Sequence, residues 1–291
     1  MSTELPIARA AAHDETGTDS AVAVLAPQTA AGEKALRIIV PVITLVLALM
    51  VWELIVVIYH IPRYIQPSPV DVATALSTDW PVLLPALLVT LKITFSALGL
   101  ALIGGVAFAI LLVQSRWIEL ALYPFAVILQ VTPIVAIAPL LLIYAPNTQT
   151  ALLFVAFLVA FFPILSNMVQ GLKSVDHNLL NLFDLYGASR WQALIFLKIP
   201  AAQPYFMAGL RIAGGLALIG AVVAEFAAGS SGASSGLAFR LLEAQYRLNI
   251  PRLFAALVLM SFTGVAIFGL TSLISWLALR RWHESAIRRE N

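Results

Sequence analysis

Residues 87–113 read LLVTLKITFSALGLALIGGVAFAILLV, a run with one charged residue, Lys92. A helix needs about 20 consecutive apolar residues to cross a hydrocarbon core about 30 Å thick. The run therefore predicts a membrane-spanning helix. Five more runs of the same kind lie at about 36–60, 118–144, 149–172, 204–227 and 251–279. Of the 291 residues 61% are hydrophobic and 11% charged, against about 25% charged in an ordinary soluble domain. Too few charges remain to coat a soluble surface, so the expectation is an all-α, polytopic membrane protein embedded in a lipid bilayer.

Six spans place both termini on one side. With the cytoplasm on that side, its segments hold eleven Lys or Arg, among them Arg116, Lys173, Arg190, Lys198 and Arg280. The opposite side holds four: Arg63, Arg240, Arg247 and Arg252. The positive-inside rule then puts both ends in the cytoplasm. Residues 1–35, polar and alanine-rich, read as a disordered cytoplasmic tail, and 281–291 as a second tail, leaving 36–280 as the transmembrane domain. A signal peptide is the competing reading of the start. The first apolar stretch is too long for one, and no small-residue cleavage pattern follows.

A net charge of +2 argues against a nucleic-acid partner, which needs a concentrated basic face. The absence of cysteine excludes disulfides, thiol catalysis and thiolate metal sites. The four histidines, 13, 60, 177 and 283, lack metal-ligand spacing, and no nucleophile–base arrangement stands out. Gly104–Gly105 and Gly214–Gly215 lack the pattern of a phosphate-binding loop and read as close-packing contacts. No catalytic residue, metal site or cofactor is expected on this chain.

The connections differ in character. Segment 61–86 carries Pro62, Pro67, Pro69, Pro81 and Pro85 and is expected to be extended or turning. Residues 229–237, GSSGASSGL, read as a flexible external loop leading to a short amphipathic stretch around Leu241–Leu248. The longest connection, 173–203, contains VDHNLLNLFDLYGASRWQALIFLKIP from Val175. Asp176 can cap a short helix, with Leu179, Leu182, Phe183 and Tyr186 on one face and Asn178, Asn181 and Asp184 largely away from it. Gly187 ends it, and a second helix can run from Ser189 to Pro200. So short an amphipathic helix needs an outside surface. Two readings stay open on spacing alone: a helix lying in the headgroup layer, or a knob docking into a partner's groove.

Gly187-Ala188-Ser189 and Lys198-Ile199-Pro200, followed by Ala201-Ala202-Gln203-Pro204, resemble the coupling-loop signature of bacterial ABC importer permeases. That signature has a glutamate–alanine–alanine core and a glycine four positions later. Here the core falls on Asn181, Leu182 and Phe183, a departure that removes the acidic side chain and implies a reshaped ATPase groove. Further matches run through about 45–282: Trp52-Glu53, Gln66-Pro67-Ser68-Pro69, Thr90-Leu91-Lys92, Thr132-Pro133, Phe161-Phe162-Pro163-Ile164, Asn167, Gly209-Leu210-Arg211 and Ala224-Glu225. They look like the subfamily that imports sulfonates, taurine, nitrate or thiamine-type pyrimidines.

The resemblance implies a type I importer permease fold in the bacterial inner membrane, paired with a second copy. It also implies a periplasmic solute-binding protein and two ATP-binding subunits that carry ATP and magnesium. The residues it assigns to ATPase coupling are Asp176, Asn181, Leu182, Phe183, Asp184, Tyr186, Gly187 and Arg190. An ion-coupled secondary transporter acting without an ATPase is the alternative. Glu53, Lys92, Arg211 and Glu225 could serve it, although paired broken helices are not evident.

Polar groups at membrane depth are costly and suggest function. Gln130, Thr132, Pro133, Asn167 and Glu225 are the candidates for the translocation path or its gate, and Pro133, Pro139 and Pro163 would kink their helices. For the uncharged ones, bridging helices by hydrogen bonds is the bland reading. For Glu225 the expected partner is Arg240 or Arg247, in an ion pair that closes an outer gate. Lys92 and Arg211 are expected to snorkel toward headgroups, and Glu53 to pair with another helix.

Overall fold

In hydrocarbon every backbone amide must bond within the protein, which helices achieve segment by segment. The computed structural model describes residues 30–229 and 235–280, and they form helices without a strand among them. The expected tails lie mostly outside these residues, but the first helix begins at Ala30, earlier than the sequence reading placed it. The chain divides into two compact units, residues 1–54 and 55–291. The described part of the first is helix α1 (Ala30–Ile58), which runs on into the second.

The second unit contains α2 (Pro69–Thr78), α3 (Trp80–Gln114), α4 (Arg116–Val131), α5 (Ile134–Tyr144) and α6 (Thr148–Lys173). It continues with α7 (His177–Leu185), α8 (Arg190–Ala193), a π-helical turn (Leu194–Lys198), α9 (Ile199–Ala228), α10 (Leu237–Tyr246) and α11 (Ile250–Leu279). Five helical stretches among the described residues are long and apolar enough to cross a membrane, and α4 with α5 makes a bent sixth.

Two elements depart from the sequence expectation, and a third goes beyond the kink that Pro133 implies in its helix. The stretch 118–144 is not one straight helix: α4 and α5 meet at an angle of 100°. Pro133 lacks an amide and disfavours the helical conformation of the residue before it; Thr132 is accordingly extended (φ −69°, ψ 128°). The proline-rich segment 61–86 is mostly helical instead of extended. Ser68 and Asp71 exchange bonds of 3.2 Å in a capping box at the start of α2, and Pro69 occupies the first turn, where its missing amide costs nothing. Finally, the helix that starts after Ser189 does not stop at Pro200. A π turn, in which the Ile199 amide reaches Leu194 O, carries it into α9, making 39 continuous residues from Arg190 to Ala228.

Helices α6 and α9 form the most extensive pair, with α3 against α6 next. Without a hydrophobic drive between helices in lipid, close backbone approach supplies the association energy. Glycines provide it here. A Cβ on Gly171 would stand 2.9 Å from Ala202, one on Gly220 2.8 Å from Ala156 Cα, and one on Gly209 3.0 Å from Pro163 O. Of the four glycines expected to be packing contacts, Gly105 and Gly214 are tight, at 2.7 Å from Ile164 and 2.9 Å from Thr271. Gly104 makes ordinary contact, whereas Gly215 has nothing within 4 Å and lies on an uncovered face of α9. Around these contacts Leu98, Ile164, Leu210 and Ala217 make one buried cluster, and Leu112, Leu165, Leu172 and Leu194 a second nearer the 173–203 connection.

Candidate functional site

The 173–203 connection folds as its residues suggest. Asp176 accepts a 2.8 Å bond from the Asn178 amide and starts α7. Gly187 (φ +67°) ends the turn, letting its own amide bond Asp184 O at 3.0 Å and that of Ala188 bond Phe183 O at 3.0 Å. Ser189 and Gln192 then form a capping box for α8, with bonds of 3.3 and 2.7 Å. At the root of the loop Lys173 is ion-paired with Glu119 of α4.

The apolar face of α7 is uncovered. Leu179 and Leu182 are each 46% exposed, Leu185 and Tyr186 each 84%. Phe183, expected in the same stripe, is half-buried instead. It lines an open hollow of about 320 Å³ with Tyr186, Gly187, Ala188, Gln192 and Phe196. Leu185, outside the expected stripe, is exposed on its other edge beside Leu182, and its position three after Leu182 is the signal for it. Asn181, Asp184 and Arg190 are exposed. The eight residues assigned to coupling thus sit together on one projecting loop.

The five path candidates do not converge. Gln130 is exposed, with no hydrogen-bond partner among the described residues. Thr132 donates 2.7 Å to Ile128 O in its own helix, and Pro133 makes the α4–α5 bend. Asn167 donates 2.8 Å to Pro163 O and packs against Gly209. Glu225 is 2% exposed, and the expected ion pair with Arg240 or Arg247 is absent. Both arginines bond Glu243, at 2.7 and 2.8 Å, because an acid one helical turn away on α10 is nearer than one on another helix. Glu225 instead accepts from Thr90 Oγ1 (2.7 Å) and the Ala238 amide (2.8 Å).

The other ionisable groups separate as well. Arg211 Nη2 donates 2.6 Å to Ser275 Oγ of α11, a bond to a neighbouring helix instead of a free headgroup contact. Lys92 is exposed on α3 without a polar partner among the described residues. Glu53 is half-buried, and its Oε2 is shielded without a hydrogen-bond partner among the described residues. Arg211, Ile212, Gly215, Ile219 and Phe226 follow one another along the uncovered face of α9. A cavity of about 560 Å³ lies between α3, α6, α9 and α11, lined by Val106, Met168, Pro200, Gln203 and Phe206.

One link was invisible in sequence. Asp79, ahead of α3, holds Arg252 of α11 by two bonds of 2.6 and 2.7 Å, across 173 positions.

Among the described residues, a multi-span helical bundle thus carries a capped amphipathic helix between two of its spans. Residues 101–289 match the family described as "Binding-protein-dependent transport system inner membrane component", and the chain belongs to that family. It is 32% identical over 233 residues to a probable ABC transporter permease protein of Haemophilus influenzae, covering 80% of this chain and 94% of the relative. It is 34% identical over 247 residues to the riboflavin transport system permease protein RibX of Chloroflexus aurantiacus, covering 84% and 90%. The formylaminopyrimidine transport permease protein ThiX of Halalkalibacterium halodurans matches at 30% over 226 residues, 77% and 88%. The chain is thus a multi-pass membrane protein of the ABC transporter permeases, with the type I permease fold, and its relatives are transport subunits.

Proposed function

We propose that this chain is the membrane-spanning subunit of an ATP-driven importer in a bacterial inner membrane. It pairs with a second copy, and two ATPase subunits, which bind the ATP and magnesium, grip α7 and its flanks from the cytoplasm. A periplasmic binding protein delivers a small organic solute or anion, and alternating access moves it across. Both termini lie in the cytoplasm in this reading, with 36–280 as the transmembrane domain.

The observation that carries the proposal is the uncovered apolar face of α7. Leu185 and Tyr186 stand out on a helix too short to persist alone, yet capped at both ends and braced at its root by Lys173–Glu119. A rigid projection of this kind suits insertion into a partner's groove. Asp176, Asn181, Leu182, Phe183, Asp184, Gly187 and Arg190 complete the contact, and the apolar core at Leu182 and Phe183 favours an ATPase with a matching apolar groove. Along the path, Gln130, Thr132, Pro133 and Asn167 flank the moving parts. The relatives named for riboflavin and formylaminopyrimidine make a nitrogen heterocycle the first solute class to try.

The test is purification of the tagged protein from native membranes with quantification of stoichiometric partners. An ATPase should accompany the wild type and be lost from Leu185→Asp and Phe183→Asp variants of unchanged monodispersity. A well-folded wild type that brings no ATPase, and whose uptake collapses with the ion gradient, would establish secondary transport instead.

A further inference from the structure

We propose that Glu225 is a positioning residue that fastens α10 to α9 and α3, so that the outer-side helix moves as one body with the rod that begins at the coupling loop. The proposal rests on the orientation and coupling given above for its place in transport, but the joint itself is a matter of geometry.

Helix α10 has no side-chain cap of its own: residue 236, at its N-cap, is glycine. Its first amides are met from elsewhere in the chain. Leu237 N–H donates 2.8 Å to Thr90 Oγ1 on α3, and Ala238 N–H donates 2.8 Å to Glu225 Oε2 on α9. The Thr90 hydroxyl completes the set by donating 2.7 Å to Glu225 Oε1. One carboxylate and one hydroxyl therefore satisfy the orphan amides of a third helix. The fit is close enough to dictate the residue at 236, where a Cβ would lie 2.0 Å from Glu225 Oε1.

Every neighbour of this carboxylate just named is a donor, and the nearby arginines 240 and 247 are engaged by Glu243. Glu225 is thus neither half of an ion pair nor open to a solute: it is 2% exposed. Its position along the chain gives the joint a consequence. The helix Arg190–Ala228 is continuous over 39 residues, about 58 Å at 1.5 Å per residue. It starts directly after the loop bearing α7 and ends three residues beyond Glu225. A displacement at the loop is delivered to the first turn of α10. Because α10 also packs on α11, the alternative is that α10 stays with α11 while α9 moves.

The chain has no cysteine, so paired nitroxide labels can be placed without background. Full-length protein carrying Ile212→Cys and Tyr246→Cys, diluted with unlabelled copies in nanodiscs, reports α9 against α10. Ile103→Cys with Phe154→Cys reports α3 against α6 as a control. The 212–246 pair should give one narrow distance, unchanged when ATPase and ATP are added. Glu225→Gln, which turns an amide NH₂ toward a donor, and Thr90→Val should broaden it while the control pair stays narrow. Thr90→Ser should restore it.

Gly236→Ala is the second route should Glu225→Gln fail to fold, since the added methyl displaces α10 from the other side of the joint. A narrow 212–246 distance in both Glu225→Gln and Gly236→Ala would overturn the proposal. So would equal broadening of the control pair, or a wild-type distance that shifts by a helical turn, about 5 Å, on ATP binding. The first two readings need no ATPase, so failure of the importer reading shows separately, as absence of ATPase binding.

Discussion

Two glutamates bracket the connection between α9 and α10, and their surroundings make them different groups. Glu225 is buried among donors, whereas Glu243 sits on α10 between two arginines. The bond from Arg240, aided by the charges of Arg240, Arg247 and Arg252, holds the Glu243 carboxyl below the usual glutamate range. A carboxyl whose folded pKa is depressed contributes stability at neutral pH that is lost as pH falls through the folded value. Amide exchange in α10, corrected for intrinsic rates, should therefore stay protected from neutral pH down to about pH 4 and weaken below it. Glu243→Gln should abolish that dependence. Asp79 and Arg252 form the other strong pair, bidentate and mostly shielded, with side chains 15% and 20% exposed. Asp79→Asn should cost about 1.5–3 kcal/mol, read as a lower melting temperature in detergent.

The helices carry predictions of a different kind, because their packing depends on what is missing from side chains. Gly220 lets α9 approach the backbone of α6, and Gly220→Leu forces the most extensive pair in the bundle apart. The expected destabilisation is at least the 1–3 kcal/mol, roughly, of an overpacked core, measurable as earlier loss of the monodisperse species on heating. Gly187 is small for another reason, its positive φ. Gly187→Ala pays about 1–2 kcal/mol for a left-handed conformation at the end of α7 alone. It should weaken ATPase recovery while leaving the melting temperature of the bundle within error of wild type.

Across the molecule, α9 is at once half of the most extensive helix pair and a helix with a bare stripe, from Arg211 through Gly215 and Ile219 to Phe226. An arginine at this depth is costly against lipid, so the stripe suits a second copy and a solute path better than hydrocarbon. Ile219→Cys, in a chain otherwise free of cysteine, should form a disulfide-linked dimer under mild oxidation. The exposed Ile103→Cys on α3 should not. Equal cross-linking at both positions would remove α9 from the proposed interface.

Much of this was legible without coordinates. Apolar run length determined the spans, since the bilayer imposes one length and one backbone solution on every crossing segment. Local chemistry determined α7, because a cap at Asp176 and a terminator at Gly187 act within a few bonds of the residues they serve. The misses share a cause. Pro133 marked the place of the α4–α5 bend, but neither its 100° angle nor the π turn that carries the rod through Pro200 follows from residue types alone. The partners of Glu225, Arg211 and Asp79 lie 135, 64 and 173 positions away. A carboxylate's charge type is written in its residue, but which donor reaches it first is decided by helix packing. Sequence by itself determined that this protein spans the membrane and presents a capped helix between two spans; only the tertiary structure decided which buried groups meet, because those contacts are set by distances in space that sequence separation does not encode.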